Sequence, residues 1–359
     1  MGNKFLDVTV KIDIVATTGS LGFGYPLILA TKQAVDIPYT KCADINEVAE
    51  VLKATTAYGT DYANSGIYKA AQLMFMQNHP PAEIAICASQ KPALGASATD
   101  TGILDDIVEK DWRQLLCIIG DGDTTTELKI AEYIETQEYK MYFVTVDDVS
   151  DNSMAQQIQS KSYDRTVMYF YDLADDNGVA VQPYAVAALL GEAAGQEVGS
   201  FTYKNLILKG LDALDITSNQ LSELAEVNAI TNIEKCGDNV TTEGKCASGE
   251  YIDIIDSVDY IISQMEYRVQ KLLNKAPKIP YTNSGIAGIE AEVVGVLEKA
   301  YRNGIIGENE GEPLYSTNFK TREEMSAEDR ANRIYSGGKF TFELAGAIHT
   351  VQVNGEMII

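Results

Sequence analysis

Histidine is almost missing from this chain: among 359 residues there are two, His79 and His349. Neither stands at a recognisable spacing from a serine or cysteine, so no Ser-His-Asp arrangement is visible, and no zinc set or cofactor fingerprint either. Basic residues are also scarce. The 28 Lys plus Arg face 52 Asp plus Glu, a formal charge of −24. Such a surface repels nucleic acid and anionic membrane, and no basic run offsets it, so neither is expected as a partner. No apolar run approaches the roughly 18 residues of a spanning helix, and the polar, charged start does not read as a signal peptide. The five cysteines contain no Cys-x-x-Cys pair, and their odd number points to a reducing compartment, hence to assembly in the cytosol. Cys87 and Cys117 sit in apolar runs and read as buried thiols. Cys236 and Cys246 flank a turn-rich stretch and could bridge if oxidised.

What is present is enough apolar sequence, 45% of the chain, for two domains or one large one. An Asp-x-x-Glu box at Asp44 opens a helix through Ala57, and a second helix runs from about Ser65 to Gln77 until Pro80-Pro81 stops it. Ile84–Ala88 reads as a short buried strand. Leu115–Ile119, a helix capped by Thr124 with Glu127, and Met141–Val146 make a strand, crossover helix and strand, which implies a parallel sheet. Thr166–Tyr171 adds a strand and Val181–Ala194 a helix, completing a Rossmann-like α/β layer. Beyond it the texture changes to α+β. Ser218–Asn228 reads as a helix and Ala229–Glu234 as a strand. A long helix starts at Asp253 with Ile254, Val258, Ile261, Ile262, Met265, Val269, Leu272 and Leu273 on one face, and a partner helix starts at Ser284. The expected division is a terminal segment 1–18, an α/β domain 19–198, a second domain 199–338 and a terminal segment 339–359.

Both ends of the sequence carry strand patterns. Phe5, Val8, Val10, Ile12 and Ile14 alternate with polar residues, and ten extended residues reach roughly 33 Å, enough to leave a domain. At the other end Phe340, Phe342 and Leu344 share a parity, and Val351 and Val353 precede an Asn354-Gly355 turn signal, with Met357 and Ile359 after it. An apolar terminal strand is either tucked into its own sheet or recruits another chain by strand addition.

Two stretches invite an enzymatic reading. Gly19, Gly22 and Gly24 follow the first strand, but in the order Gly-x-x-Gly-x-Gly and with no Lys-Ser/Thr to close a phosphate loop, so a hinge is the better account. Asp121 and Asp123 fall at the carboxyl end of a strand, where α/β enzymes place sites, yet they lack a third acidic ligand; a solvated turn with charge at a helix N-terminus explains them. His79 at the Pro-Pro breaker reads as a loop or cap residue. The charged run from Thr321 to Tyr335, with Arg322, Glu323, Glu324, Arg330 and Arg333, reads as a solvated helix face or a contact surface.

Several stretches resemble the contractile tail sheath proteins of myophages and of R-type, diffocin-like bacteriocins. They are Leu344-Ala-Gly-Ala-Ile-His-Thr-Val-Gln-Val-Asn-Gly355, Thr241 to Asp253, Lys278-Ile-Pro-Tyr-Thr-Asn-Ser-Gly285, Gly199 to Asn205, and Tyr68 to Gln77 before a Pro-Pro. The likeness keeps chain order and is firmest after residue 199. It implies a structural protein without cofactor or metal, whose α/β layer is subtilisin-like but carries no protease arrangement, in the compact form of the family. It also implies strand pairing between subunits by residues 5–14 and 340–359. The implied partners are further copies of the chain in stacked rings, an inner tube, a baseplate and a tail terminator. The mixed-charge run is the candidate tube-facing surface. An α/β nucleotide- or metal-dependent enzyme and a non-contractile scaffold are the alternatives.

Overall fold

The computed structural model describes residues 24–96, 101–119, 123–174 and 181–349. Its first strand, β1 (Tyr25–Thr31), shows why a sheet forms here: Leu27, Ile28, Leu29 and Ala30 are all buried, so the strand is covered on both faces. In chain order there follow β2 (Ile37–Cys42), α1 (Ile45–Lys53), α2 (Gly66–Phe75), β3 (Ile84–Ala88), α3 (Ile103–Ile107), β4 (Trp112–Ile119), α4 (Thr124–Glu135), β5 (Met141–Val146), α5 (Met154–Ser160) and β6 (Thr166–Phe170). The six strands lie in the order β2-β3-β1-β4-β5-β6. All neighbours are parallel except the antiparallel β2, with Ile28 opposite both Ile86 and Leu116.

Strand parity divides the core. Ile28, Ile86, Leu116 and Phe143 face α1, α2 and later residues, while Leu27, Leu29, Cys117 and Tyr142 face α3, α4 and α5. A short 3-10 turn at Gln182–Tyr184 precedes α6 (Ala187–Ala194). The single helix expected over 181–194 is thus interrupted, because Pro183 cannot sit inside it. Gly191 of α6 lies so close to α2 that a Cβ there would come within 2.4 Å of the Met74 Cα. α7 (Ser218–Glu226) leads to the hairpin β7 (Asn232–Lys235) and β8 (Asp238–Thr241). Its turn residues Cys236 and Gly237 have φ of 55° and 92°, the pair of positive values that a tight two-residue hairpin requires. Cys236 is exposed and Cys246 fully buried, and both are free thiols, so the bridge weighed for them is not formed.

The remainder is α8 (Ile252–Lys275), α9 (Asn283–Arg302), β9 (Glu308–Asn309), β10 (Glu312–Pro313), β11 (Tyr315–Phe319), α10 (Ala327–Asn332) and β12 (Gly338–Phe342). Ile261, Met265 and Val269 of α8 pack on Val293, Val296, Leu297 and Ala300 of α9, a third cluster separate from the two around the sheet. The first cluster takes in Tyr203, Leu206, Leu208, Ile230 and Ile252, so its packing runs across residue 198 and reaches the start of α8. Three local expectations are corrected. α1 ends at Lys53 rather than Ala57, and α4 is capped by Asp123 rather than Thr124. The strand expected over 229–234 begins at Asn232, with Ile230 making a lone bridge to Tyr169. Among the described residues no helix is long and apolar enough to cross a membrane.

Candidate assembly surface

The two-stranded sheet β11–β12 stands apart from the large sheet and is built on α9. Tyr315, Phe319, Phe340, Phe342 and Leu344 turn their half-buried side chains onto the α8–α9 cluster. The alternation seen in the sequence therefore does place Phe340, Phe342 and Leu344 on one face. β12 pairs antiparallel with β11, Thr317 opposite Phe340 and Tyr315 opposite Phe342; the hairpin expected around Asn354-Gly355 lies outside the described residues. Leu344 then bridges Ile306, and the Ala345 amide donates to the Ile305 carbonyl at 2.9 Å. Side-chain bonds tie the sheet down on α9: Thr317 Oγ1 to Glu290 at 2.8 Å, and the Tyr315 hydroxyl to Glu298. Burial and that carboxylate push the Tyr315 phenol up to about 12.

The ladder fixes which backbone groups remain outward. Glu343 N–H donates to the Leu314 carbonyl and Lys320 N–H to the Gly337 carbonyl. In an antiparallel pair the inward positions recur every second residue. Gly337, Thr341 and Glu343 thus face β11, and Phe340 and Phe342 direct their N–H and C=O outward. Among the described residues no other strand pairs with either outer edge.

The candidate tube-facing residues separate into two groups. Arg330 Nη1 donates to the carbonyls of Arg322, at 3.0 Å, and Met325, so its guanidinium holds the loop before α10. Glu323 accepts from Asn283 Nδ2 at 3.0 Å, and Glu324 accepts from the Thr321 amide at 2.7 Å; these bonds hold both carboxyls below the usual range. Arg322 and Arg333 present exposed side chains, Arg333 from a left-handed C-cap with φ 59°. Phe319 stacks on Tyr335 beside this run, with ring centroids 6.2 Å apart.

Of the residues expected to pair between subunits, Phe5, Val8, Val10, Ile12, Ile14, Val351, Val353, Met357 and Ile359 lie outside the described residues. The point from which the C-terminal segment departs is described. His349 contacts Thr202 Oγ1 and Glu243 Oε1, both at 3.2 Å, and its ring meets Tyr251 edge-on at 4.8 Å. That anchor was invisible in the sequence, since its partners come from 98 to 147 positions away. The residue before it, Ile348, is 86% exposed.

The stretches that invited an enzymatic reading have local duties where they are described. Asp123 accepts from the Thr125 amide at 3.0 Å and from Thr126 Oγ1 at 2.8 Å as the cap of α4; Asp121 is outside the described residues. Gly24, with φ 90°, is needed because a Cβ would come within 2.9 Å of the Arg113 Cβ; Gly19 and Gly22 are outside. His79 Nδ1 lies 2.6 Å from the buried Glu192, which also accepts from the amides of Asn78 and His79 and so closes the breaker after α2.

Residues 252–357 match the family model described as "E217 tail sheath protein gp31-like, C-terminal domain". No curated protein sequence matches the chain. Among solved structures it is similar to a chain of the anti-feeding prophage baseplate, with 12% identity, TM-score 0.67 and coverage of 99% of this chain and 100% of the other. It is also similar to the helical sheath of the anti-feeding prophage in its contracted state, with 14% identity, TM-score 0.65 and 99% of each chain covered. The contracted sheath complex of the extracellular contractile injection system PVC matches at 12% identity, TM-score 0.65 and 99% of each chain.

Proposed function

We propose, from the match of residues 252–357 to a tail sheath family model, that this chain is the structural subunit of a contractile tail sheath. It polymerises around an inner tube and contracts by rigid-body rearrangement to drive that tube through a bacterial envelope. One observation carries the reading from this chain alone: β11–β12 is a two-stranded sheet held firmly on its helix, and among the described residues no strand lies on either outer edge. Two strands are marginal in isolation, and further strands from neighbouring copies complete them. The strands added are residues 5–14 and 350–359, the second following directly on the pinned His349.

The role needs no catalytic centre. The extended lattice is a metastable packing of copies against tube and baseplate, and it relaxes to a shorter, wider one with more contact between subunits. Cross-strand pairs contribute roughly 0.2–1 kcal/mol each, so a few pairs per copy keep neighbours joined while the bodies rotate. Arg322 and Arg333, exposed beside the aromatic pair, are the tube-facing residues; their ion pairs are screenable and release readily. Particles of this kind are assembled in the host cytoplasm and capped by a terminator.

Negative-stain microscopy of the purified protein tests the proposal, with hollow striated cylinders expected. Deleting 1–17 or 350–359 should leave folded monomers that do not polymerise, and cylinders from either truncation would overturn strand exchange. Deletion from residue 340 is less clean, because it removes β12 from its own sheet. Arg322→Glu with Arg333→Glu should weaken co-assembly on tubes while cylinders still form; undiminished co-assembly would reject the tube-facing assignment.

A further inference from the structure

α8 has two buried stripes of opposite character. Toward α9 it shows Ile261, Met265 and Val269, as its periodicity predicts. Toward the large sheet it shows Asp256, Asp259 and Glu266, spaced i, i+3 and i+10 on one helical face and only 5%, 4% and 7% exposed. Carboxylates at such depth are rare unless paired. The partner of Asp256 and Asp259 is Arg113, 3% exposed, which rises from β4 between Trp112 and Gln114.

The contacts use the whole fork of that guanidinium. Nε and Nη2 donate to Asp256 Oδ1, the first at 3.1 Å, while Nη1 donates to Asp259 Oδ2 at 2.8 Å and to the Tyr139 carbonyl at 2.9 Å. Arg165, just before β6, grips both oxygens of Asp259, at 2.9 and 3.1 Å. The Tyr203 hydroxyl closes the other side, donating to Asp256 Oδ2 at 2.8 Å. Two arginines and two aspartates sum to zero charge. Burial would raise the Asp259 carboxyl, but the two guanidinium groups overcome it and hold it below the usual range.

We infer that this ionic joint, rather than apolar packing, sets the angle at which the α8–α9 pair stands on the six-stranded sheet. The inference is independent of the sheath reading. Apolar contact is non-directional and permits sliding; the cluster between α8 and α9 is separate from the two around the sheet, and α8 joins the first of those only at its start, through Ile252 and Ile255. A planar fork meeting two carboxylates one helical turn apart admits one orientation. Desolvating four charges offsets most of their attraction, so the joint adds little net stability and acts chiefly on geometry. Arg113, Arg165, Asp256 and Asp259 are positioning residues.

The test is the distribution of distances between spin labels on the two bodies. Labels go on Lys161→Cys after α5 and Ala287→Cys on α9, both exposed, with the exposed Cys236 replaced by Asn, and the labelled protein is diluted into unlabelled chain. In this background an apolar joint combines Arg113→Met, Arg165→Met, Asp256→Leu, Asp259→Leu and Tyr203→Phe. It should unfold cooperatively but show a distance distribution at least about twofold broader than the parent. An equal mean and width would overturn the inference. Arg113→Lys provides the second arm, because it keeps the charge and loses the fork. Broadening there supports the fork as the determinant, and a parental distribution overturns it even if the five-fold variant fails to fold.

Discussion

The two sheets of this molecule treat their edges in opposite ways. In the large sheet, β2 carries Pro38 at an irregular register and Lys41, features that discourage further pairing. At the other end, Ile230 covers β6, exchanging backbone bonds with Met168 and Phe170 at 2.9 and 2.7 Å. The small sheet has no proline, and its only charged side chain is Lys339. Nor is it loose, since hydroxyl–carboxylate bonds and half-buried aromatic rings fix it on α9. A rigid strand pair with no strand on either outer edge among the described residues suits the template role proposed above, whereas the edges of the large sheet discourage additions. On the proposed function, stability resides mainly in the first sheet and association in the second.

The heaviest way to strike at this contrast is a truncation in the large sheet. Phe143 is fully buried in the core of β5. Phe143→Ala should destabilise the monomer by about 3–5 kcal/mol in urea unfolding, and assembly should fail only when the protein itself unfolds. A smaller loss would mean that the body is not the stable half. Next comes Phe340→Pro compared with Phe340→Ala, which loses the same ring from α9; the proline alone also removes an outward-facing amide, and both leave every N–H directed at β11 in place. The critical concentration for polymerisation should rise about a hundredfold, equivalent to about 2.7 kcal/mol per contact. Thr341→Pro, which breaks the inner ladder, should instead lower stability and assembly together. If the two prolines behave alike, the outer edge is not the docking edge.

The large sheet was readable because its strands are continuous apolar runs joined by capped helices, so period and caps agreed. Strand order was not readable; it depends on crossovers that no local pattern encodes. In the small sheet, β12 showed its alternation, but its partner Tyr-Ser-Thr-Asn-Phe319 is short and mostly polar and gave no strand signal. The acidic stripe of α8 was present in the sequence as Asp256, Asp259 and Glu266, yet acids on one helix face ordinarily mark solvent. The sign that they were buried was Arg113, a cation inside a strand of otherwise buried residues, 143 positions away. Pairing a charge stranded in an apolar run with an acid stripe elsewhere is how the joint could have been found.

The joint between the two regions also carries a proton. Glu266 is buried near Glu138, and loss of solvent together with that like charge pushes its carboxyl up to about 8. The folded chain therefore keeps a proton on Glu266 between its ordinary value of 4.5 and about 8, where the unfolded chain does not. A state that alone binds the proton loses stability as the proton becomes scarce, so stability should fall as pH rises through this window. Asp259 acts in the opposite sense: its lowered carboxyl favours the folded state until the pH drops below the ordinary carboxylate range. Glu266→Gln keeps the shape and removes the first effect. It should match the parent near pH 5 and exceed it at pH 8.5 by about 1–2 kcal/mol, the gain limited by solvent screening at the edge of the joint. Urea midpoints at the two pH values decide the matter. Parallel pH dependence of parent and variant would show that Glu266 is already ionised in the folded chain, and that the two regions meet through a wetter contact than its burial implies.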